Sequence, residues 1–274
     1  MPFTVSHVAA VLPLRGRWGL APAPLVLGSM APDVWLFLGM PAMRDRAHTA
    51  LGVVTIDLLV VVVAGAVWSH VLRAPVAALL PPLAARWSAP TAAPHDARWA
   101  RRWLLAAFVG VLTHVVWDSF THDDGWAVRR IGLLDGTVAG VGVALGLQYL
   151  CSALGLVLVA AFVLRWWRTT APRAVPPVGV HHRAVWAAVA VAMAVGGGYR
   201  AATDVVRVLG LAGSPPEVGS WRVRILVTDL LLGAGVAFVL AVLLLSVGWH
   251  VHGRLTRSRP PSPAEPAGPA GRRP

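Results

Sequence analysis

The sequence predicts an all-α, polytopic membrane helix bundle with about five spans and a Pro-broken N-terminal segment, and three observations carry that reading. Of 274 residues, 57% are hydrophobic and 13% charged, about half the charged share of a soluble domain. Mean hydropathy is +0.66. Apolar runs such as Leu58–Val63 and Leu240–Leu245 lie inside stretches of the roughly 20 residues a helix needs to cross a bilayer. Together these argue against a water-soluble enzyme.

The elements follow in chain order. The opening MPFTVSHVAA has neither a basic n-region nor a cleavage site, so no removable signal peptide is expected. Leu20–Met43 is apolar but carries Pro22, Pro24, Pro32 and Pro41. Proline interrupts the helical hydrogen-bond ladder, so this segment reads as re-entrant or surface-lying. Thr49–Leu72 and Trp103–Thr121 are the first two clean spans. Ile131–Gly140, with Asp135 and several Gly, is a second broken stretch. Val141–Leu164, Ala184–Tyr199 (extended by Ala201 and Ala202) and Ile225–Trp249 complete the five. One transmembrane domain over 1–250 is expected, its metal-site half in 1–165. A disordered Pro/Arg-rich tail over 251–274 ends in RSRPPSPAEPAGPAGRRP.

The net charge of +12 comes from 24 basic residues that are all Arg. With the Ala/Val/Gly/Pro richness this reads as codon bias of a GC-rich genome, and no nucleic-acid partner is expected. Position carries the information instead. The 73–102 and 165–183 connections hold five and four Arg, and the 250–274 tail five. The positive-inside rule then puts these in the cytoplasm of a bacterial plasma membrane, with 44–48, 122–135 and 200–224 outside. The four Arg of 200–224 weaken the contrast without reversing it. The lone Cys151 excludes an intramolecular disulfide and a Cys-based zinc site.

Ionisable residues inside apolar segments are costly and are functional candidates. The strongest cluster is THVVWDSFTH, in which His114, Asp118 and His122 recur at i, i+4 and i+8. On a helix they form one stripe with roughly 6 Å of rise per step. Adjacent members can share a divalent metal ion, zinc above all, since imidazole and carboxylate suit it. The alternative is polar packing between helices. Ser6-His7, Asp33 after Pro32, and His48 add further candidates. Asp33 is either an N-terminal helix residue favoured by the dipole or a ligand at a chain break. His48 begins a span that runs inward, and the His114–His122 stripe ends one that runs outward, so the charge rule puts them at one outer level. His7 and Asp33 join them if Leu20–Met43 doubles back.

Among other polar residues, Asp57 is half a turn out of phase with His48 and is expected to face another helix. Asp57 and Asp229 could each pair with an Arg or be protonated. Gln148 and Tyr149 are expected to bond between helices, and His181, His182, His250 and His252 to anchor at the cytoplasmic interface. Trp166, Trp167, Trp186, Trp221 and Trp249 fit an aromatic belt, while Trp117 shields the stripe or faces lipid.

The opening MPFTVSHVAAVLPL, LVLGSMAPD, His48 leading into a span with Asp57, THVVWDSFTH and LQYLCSALGL resemble an uncharacterised bacterial membrane family, domain of unknown function 4184. The order His…Asp…His…His-x-x-x-Asp…His is also distantly similar to zinc-dependent phospholipase C and to inner-membrane metal-dependent hydrolases. That second resemblance implies one zinc on Asp33, His48, His114 and Asp118, with Asp118 bridging to a second ion that His7 also holds. His122 corresponds to a following His at a different spacing. Glu217 and Glu265 are the only glutamates, and no counterpart of a third zinc site is found, so a mono- or dinuclear site is implied.

Two function classes follow. One is a metal-dependent hydrolase near the outer membrane face, with Asp33 as ligand or general base and Asp118 as the shared carboxylate. Its substrate would be a phosphodiester or anionic lipid headgroup, which Arg129 and Arg130 could hold. The other is a non-enzymatic membrane protein with a structural metal site or a polar helix-packing cluster.

Overall fold

A computed structural model of the chain describes residues 4–87, 96–174, 182–212 and 220–257. The described residues are almost wholly helical. An apolar helix α1 (Thr4–Leu14) is followed by short α2 (Pro22–Gly28) and α3 (Pro41–Ala47), each with Pro in its first turn, where its missing N–H costs nothing. Five longer helices follow: α4 (Ala50–Leu79), α5 (Ala97–Thr121), α6 (Val143–Thr169), α7 (His182–Ala212) and α8 (Ser220–Arg257).

All five contain a segment long and apolar enough to cross a membrane. They match the five expected spans, most of them longer at one end or both. Side-chain caps fix two of the starts. Thr49 Oγ1 accepts from the amide of Gly52 at 3.0 Å, opening α4, and Asp96 accepts from the amide of Trp99 at 2.7 Å, opening α5. Lipid-compatible side chains such as Leu59, Leu154 and Leu244 point outward from the bundle.

Within Leu20–Met43 the longest helix is the seven-residue α2, about 10 Å of rise against roughly 30 Å of hydrocarbon. It cannot cross. The chain turns at Ala31–Asp33, makes one helical turn at Val34–Phe37, and reverses at Gly39, whose φ of 71° is left-handed. The second broken stretch forms a turn at Gly132–Asp135 and a two-residue hairpin pairing β1 (Thr137–Val138) with β2 (Val141–Gly142).

Two small apolar cores sit on either side of α2. One joins Val8, Val11, Leu20, Leu25 and Ala106; the other joins Ala31, Val53, Val61, Ala107 and Val111. Both use α5 as a wall, so α5 is the axis of this half of the bundle. The other half is the α7–α8 pair, which crosses at Gly196 and Gly233. A Cβ on Gly233 would lie 2.4 Å from the carbonyl of Gly196, a small-residue contact that lets two apolar helices touch without a hydrophobic drive.

Helix α8 also leans on α4. Pro75 has no amide to offer the carbonyl of Val71, four residues back. His250 Nε2 donates to that carbonyl at 3.0 Å. This histidine, expected to anchor at the interface, also supplies a donor to its neighbour's helix. Helix α8 continues to Arg257, and the remainder of the expected tail, 258–274, lies outside the described residues, as does His181.

Candidate metal centre

The site is built where α2 crosses α5. Gly28 and Gly110 meet there with no side chain between them: a Cβ on Gly28 would lie 2.3 Å from the carbonyl of Ala107, and one on Gly110 the same distance from that of Leu25. This approach brings the carbonyl of Ser29 onto His114, one turn along α5. The His114 Nδ1–H donates to it at 2.8 Å within a fully buried environment. The ring is thereby held with Nε2 facing Asp33 Oδ1 at 3.7 Å and Asp118 Oδ2 at 3.4 Å.

His48, at the end of α3, is arranged the same way. Its Nδ1 donates to the carbonyl of Arg44 at 2.9 Å, and its Nε2 lies 3.2 Å from Asp118 Oδ2. Asp33 presents a single oxygen, because its Oδ2 accepts from the Thr4 hydroxyl at 2.8 Å. One ligand-type atom from each of Asp33, His48, His114 and Asp118 lies within 4.8 Å of the others.

The donor set fits a divalent cation. A carbonyl oxygen can only accept, so each Nδ1 carries a proton and Nε2 is the ring nitrogen turned towards the cluster. Each Nε2 faces carboxylate oxygens, an arrangement that is satisfied by a proton on that nitrogen or by a divalent cation bound among the four atoms. Tetrahedral zinc with bonds of about 2.0–2.1 Å sets its ligand atoms roughly 3.4 Å apart, and the spacings above are 3.2, 3.4 and 3.7 Å. His114 Nε2 has no hydrogen-bond partner, whereas His48 Nε2 is within hydrogen-bond distance of Asp118 Oδ2.

His7 and His122 fall outside this group of four and lie around the other oxygen of Asp118. His7 Nε2 is 3.4 Å and His122 Nδ1 3.5 Å from Asp118 Oδ1. The His7 ring stacks on His114 with centroids 3.9 Å apart, and the half-buried Trp117 ring meets His7 edge-on with centroids 5.8 Å apart. Gly155 lets α6 close over the N-terminal turn, since a Cβ there would sit 2.7 Å from the carbonyl of Ser6. Burial, and then the adjacent His114, push His7 down to about 4, so it is a neutral ring at pH 7. His122 is also lowered, chiefly by burial.

The expected i, i+4, i+8 stripe is corrected at its last member. Helix α5 ends at Thr121, and His122 leaves it with φ −116° and ψ 139°. The break has a local cause. Gly125 packs against the carbonyl of Ser119, which accepts from Ala127 and Val128 as the chain folds back over the helix end. His122 still turns towards Asp118, and the Gln148 amide of α6 sits 3.0 Å from its Nε2.

A cavity of about 460 Å³ opens onto the cluster, lined among others by Asp33, Arg44, His122 and Gln148 with Asp123 and Asp124. Arg129 and Arg130 do not line it. Arg130 instead stacks on Trp126, with its guanidinium 4.3 Å from the ring, and donates to that residue's carbonyl at 3.2 Å. Arg44 is the basic residue the sequence reading missed: its Nη2 is 3.2 Å from Asp118 Oδ2 and its Nε 3.7 Å from Asp33 Oδ1. Its position four residues before His48 was the available signal. Thr4 and Ser29 were missed as supports, having no signature until the fold brings them near. Asp57 is buried with neither oxygen hydrogen-bonded, outside the group of four, whereas Asp229 pairs with Arg200 at 3.1 Å.

No curated protein and no solved structure matches this chain. A family model does, over residues 1–247, a range that takes in every residue of the cluster, its supports, the first four long apolar helices and most of the fifth. By that match the chain belongs to the family described as Domain of unknown function (DUF4184).

Proposed function

We propose that the protein is a membrane-embedded, metal-dependent hydrolase, with zinc as its ion and a phosphodiester or lipid headgroup as its substrate. The observation that carries this reading is the convergence of two Nε2 atoms, each fixed by an Nδ1–H on a backbone carbonyl, with single oxygens of two carboxylates. Asp33, His48, His114 and Asp118 would hold the ion. Asp118 has a second oxygen turned to His7 and His122, which suits a bridging carboxylate. A divalent ion there would supply an acidified water and a Lewis acid for a phosphoryl or acyl oxygen.

The chain's own residues do the rest. Ser29 and Arg44 carbonyls keep the lone pairs of His114 and His48 aimed inward. The Thr4 hydroxyl keeps Asp33 to one free oxygen, so Asp33 serves as ligand or as proton acceptor at that atom. His7 and Trp117 exclude water from the buried side, leaving the cavity as the approach. With the Arg-rich connections in the cytoplasm, the cavity faces outward, where a headgroup in a bacterial plasma membrane is within reach.

A second reading is a structural metal site without catalysis. It is favoured by the ligand count, since four protein donors already complete a tetrahedron. Elemental analysis of detergent-purified protein beside an Asp118→Ala, His114→Ala double variant tests both. Stoichiometric metal lost in a still-folded variant is the expected result; cleavage of a chromogenic phosphodiester by the metal-loaded protein selects the hydrolase. No metal uptake after reconstitution removes both readings.

A further inference from the structure

The cavity that reaches the cluster has a charge problem for an anionic substrate. Its lining includes Asp33, Asp45, Asp123 and Asp124, and among the described lining residues Arg44 is the one permanent cation. The Arg44 guanidinium is 14% exposed and is placed at the floor, within 3.2 Å of Asp118, 3.7 Å of Asp33 and 3.8 Å of the exposed Asp45. It is therefore both at the edge of the proposed ligand set and on the open side of it.

The charges then decide what the floor recognises. Asp33, Asp118 and a divalent ion sum to zero, so the Arg44 guanidinium is the positive charge left over beside them, with the exposed Asp45 facing it from the rim at 3.8 Å. Nη2 donates one N–H to Asp118 and Nε faces Asp33, so the outer Nη1/Nη2 edge, on the Asp45 side, is the pair of donors left for two oxygens of a tetrahedral oxyanion. The acidic rim would repel that same anion if Arg44 were absent. The backbone of Arg44 is already committed, because its carbonyl orients His48. Side chain and carbonyl of one residue thus serve ligand geometry and anion recognition at once.

From this we infer that Arg44 is the residue that positions a phosphate-type oxyanion of the substrate at the cluster, resting on the metal-centre reading above. Its side chain binds the anion while its carbonyl supports the metal site through His48, and the two roles separate by experiment because a side-chain variant keeps the carbonyl. A guanidinium this close to a dication opposes it. Replacing Arg44 should therefore leave zinc affinity unchanged or raise it, while binding of an anion to the loaded protein falls about tenfold or more.

The test uses the full chain in detergent, as wild type, Arg44→Met and Arg44→Lys. Zinc affinity is measured by titration against a competing chelator, and inorganic phosphate binding to zinc-loaded protein by calorimetry. Support is zinc retained in all three, phosphate binding lost in Arg44→Met, and partial rescue in Arg44→Lys, which keeps the charge without the fork. Phosphate bound equally by Arg44→Met overturns the assignment, as does loss of zinc from Arg44→Met while Arg44→Lys keeps it, which would make Arg44 a support of the metal site. If the wild type takes up no zinc, the metal-centre reading fails first and this one with it; zinc uptake without Arg44 dependence of phosphate binding sinks this one alone. Competition of phosphate by micelles of a short-chain phospholipid assigns the anion to a lipid headgroup, and absence of competition to a water-soluble phosphate.

Discussion

Gly28 and Gly110 lie back to back, each where a Cβ would strike the other helix's backbone carbonyl at 2.3 Å. Helix α2 can approach α5 closely enough for Ser29 to accept from His114 only because neither position has a side chain. The contact sets both packing and ligand geometry.

Gly110→Val should therefore push the two helices apart and remove the Ser29–His114 hydrogen bond. We expect destabilisation of about 1–3 kcal/mol or more from overpacking, together with loss of bound metal. Thermal melting in detergent and elemental analysis of one preparation read both effects. A Val variant that keeps its metal would show that α2 does not position the site.

Thr4 supports the centre through Asp33 alone. Thr4→Val keeps the shape and removes the donor, so metal affinity should fall about 10–100-fold, the usual effect of losing a supporting hydrogen bond behind a ligand. Loss of a ligand itself, as in His114→Ala, should exceed that range. A chelator competition series on the three proteins orders them, and equal affinities would contradict the arrangement.

His7 gives stability a pH dependence. Its value of about 4 in the folded chain lies below its ordinary 6.5, so on acidification the unfolded chain takes up the proton first. The stabilising contribution is complete above about pH 6.5 and is lost progressively down to pH 4. His122, lowered by burial as well, acts in the same direction. In chelator-treated protein the melting temperature should fall across this window, and His7→Phe should flatten the fall while keeping the stack on His114.

Gly233 and His250 offer a control in the other half of the molecule. Gly233→Val places a Cβ against the Gly196 carbonyl, and His250→Leu leaves the Val71 carbonyl without its donor, at a cost of about 1–3 kcal/mol for an unsatisfied buried group. Both should lower the melting temperature with metal content unchanged. Metal loss in either would mean that α7 and α8 are coupled to the cluster.

The five spans were legible because hydropathy sums along one helix and needs no partner. His114 and Asp118 were legible for a similar reason: their spacing is local, and a bilayer makes them conspicuous. What escaped was set by packing across the chain. Arg44 reaches Asp118 over 74 residues of sequence, and a cation two residues from Arg46 in a loop looked like part of the charge pattern. His122 was assigned to the helical stripe because no helix-period argument registers a chain reversal at Gly125. Its turn towards Asp118 depends on Ser119 accepting amides from beyond the helix end. The wide turn at Val53–Asp57 likewise left no mark in the apolar pattern of α4.

The Thr4–Asp33 hydrogen bond and the His7–Asp118 contact tie the first described residues to a helix more than a hundred positions later. During synthesis His7 leaves the ribosome 111 residues ahead of Asp118, about 6–22 s at ordinary elongation rates. Through that interval the α5 and α6 residues that cover Ser6 and His7 in the finished fold have not yet been made. The contacts set an expected order: His7 cannot meet Asp118 until α5 is made, and Gly155 of α6 comes over Ser6 later still. A nascent chain stalled before Asp118 should leave His7 open to a water-soluble imidazole reagent, and one stalled beyond Thr169 should protect it.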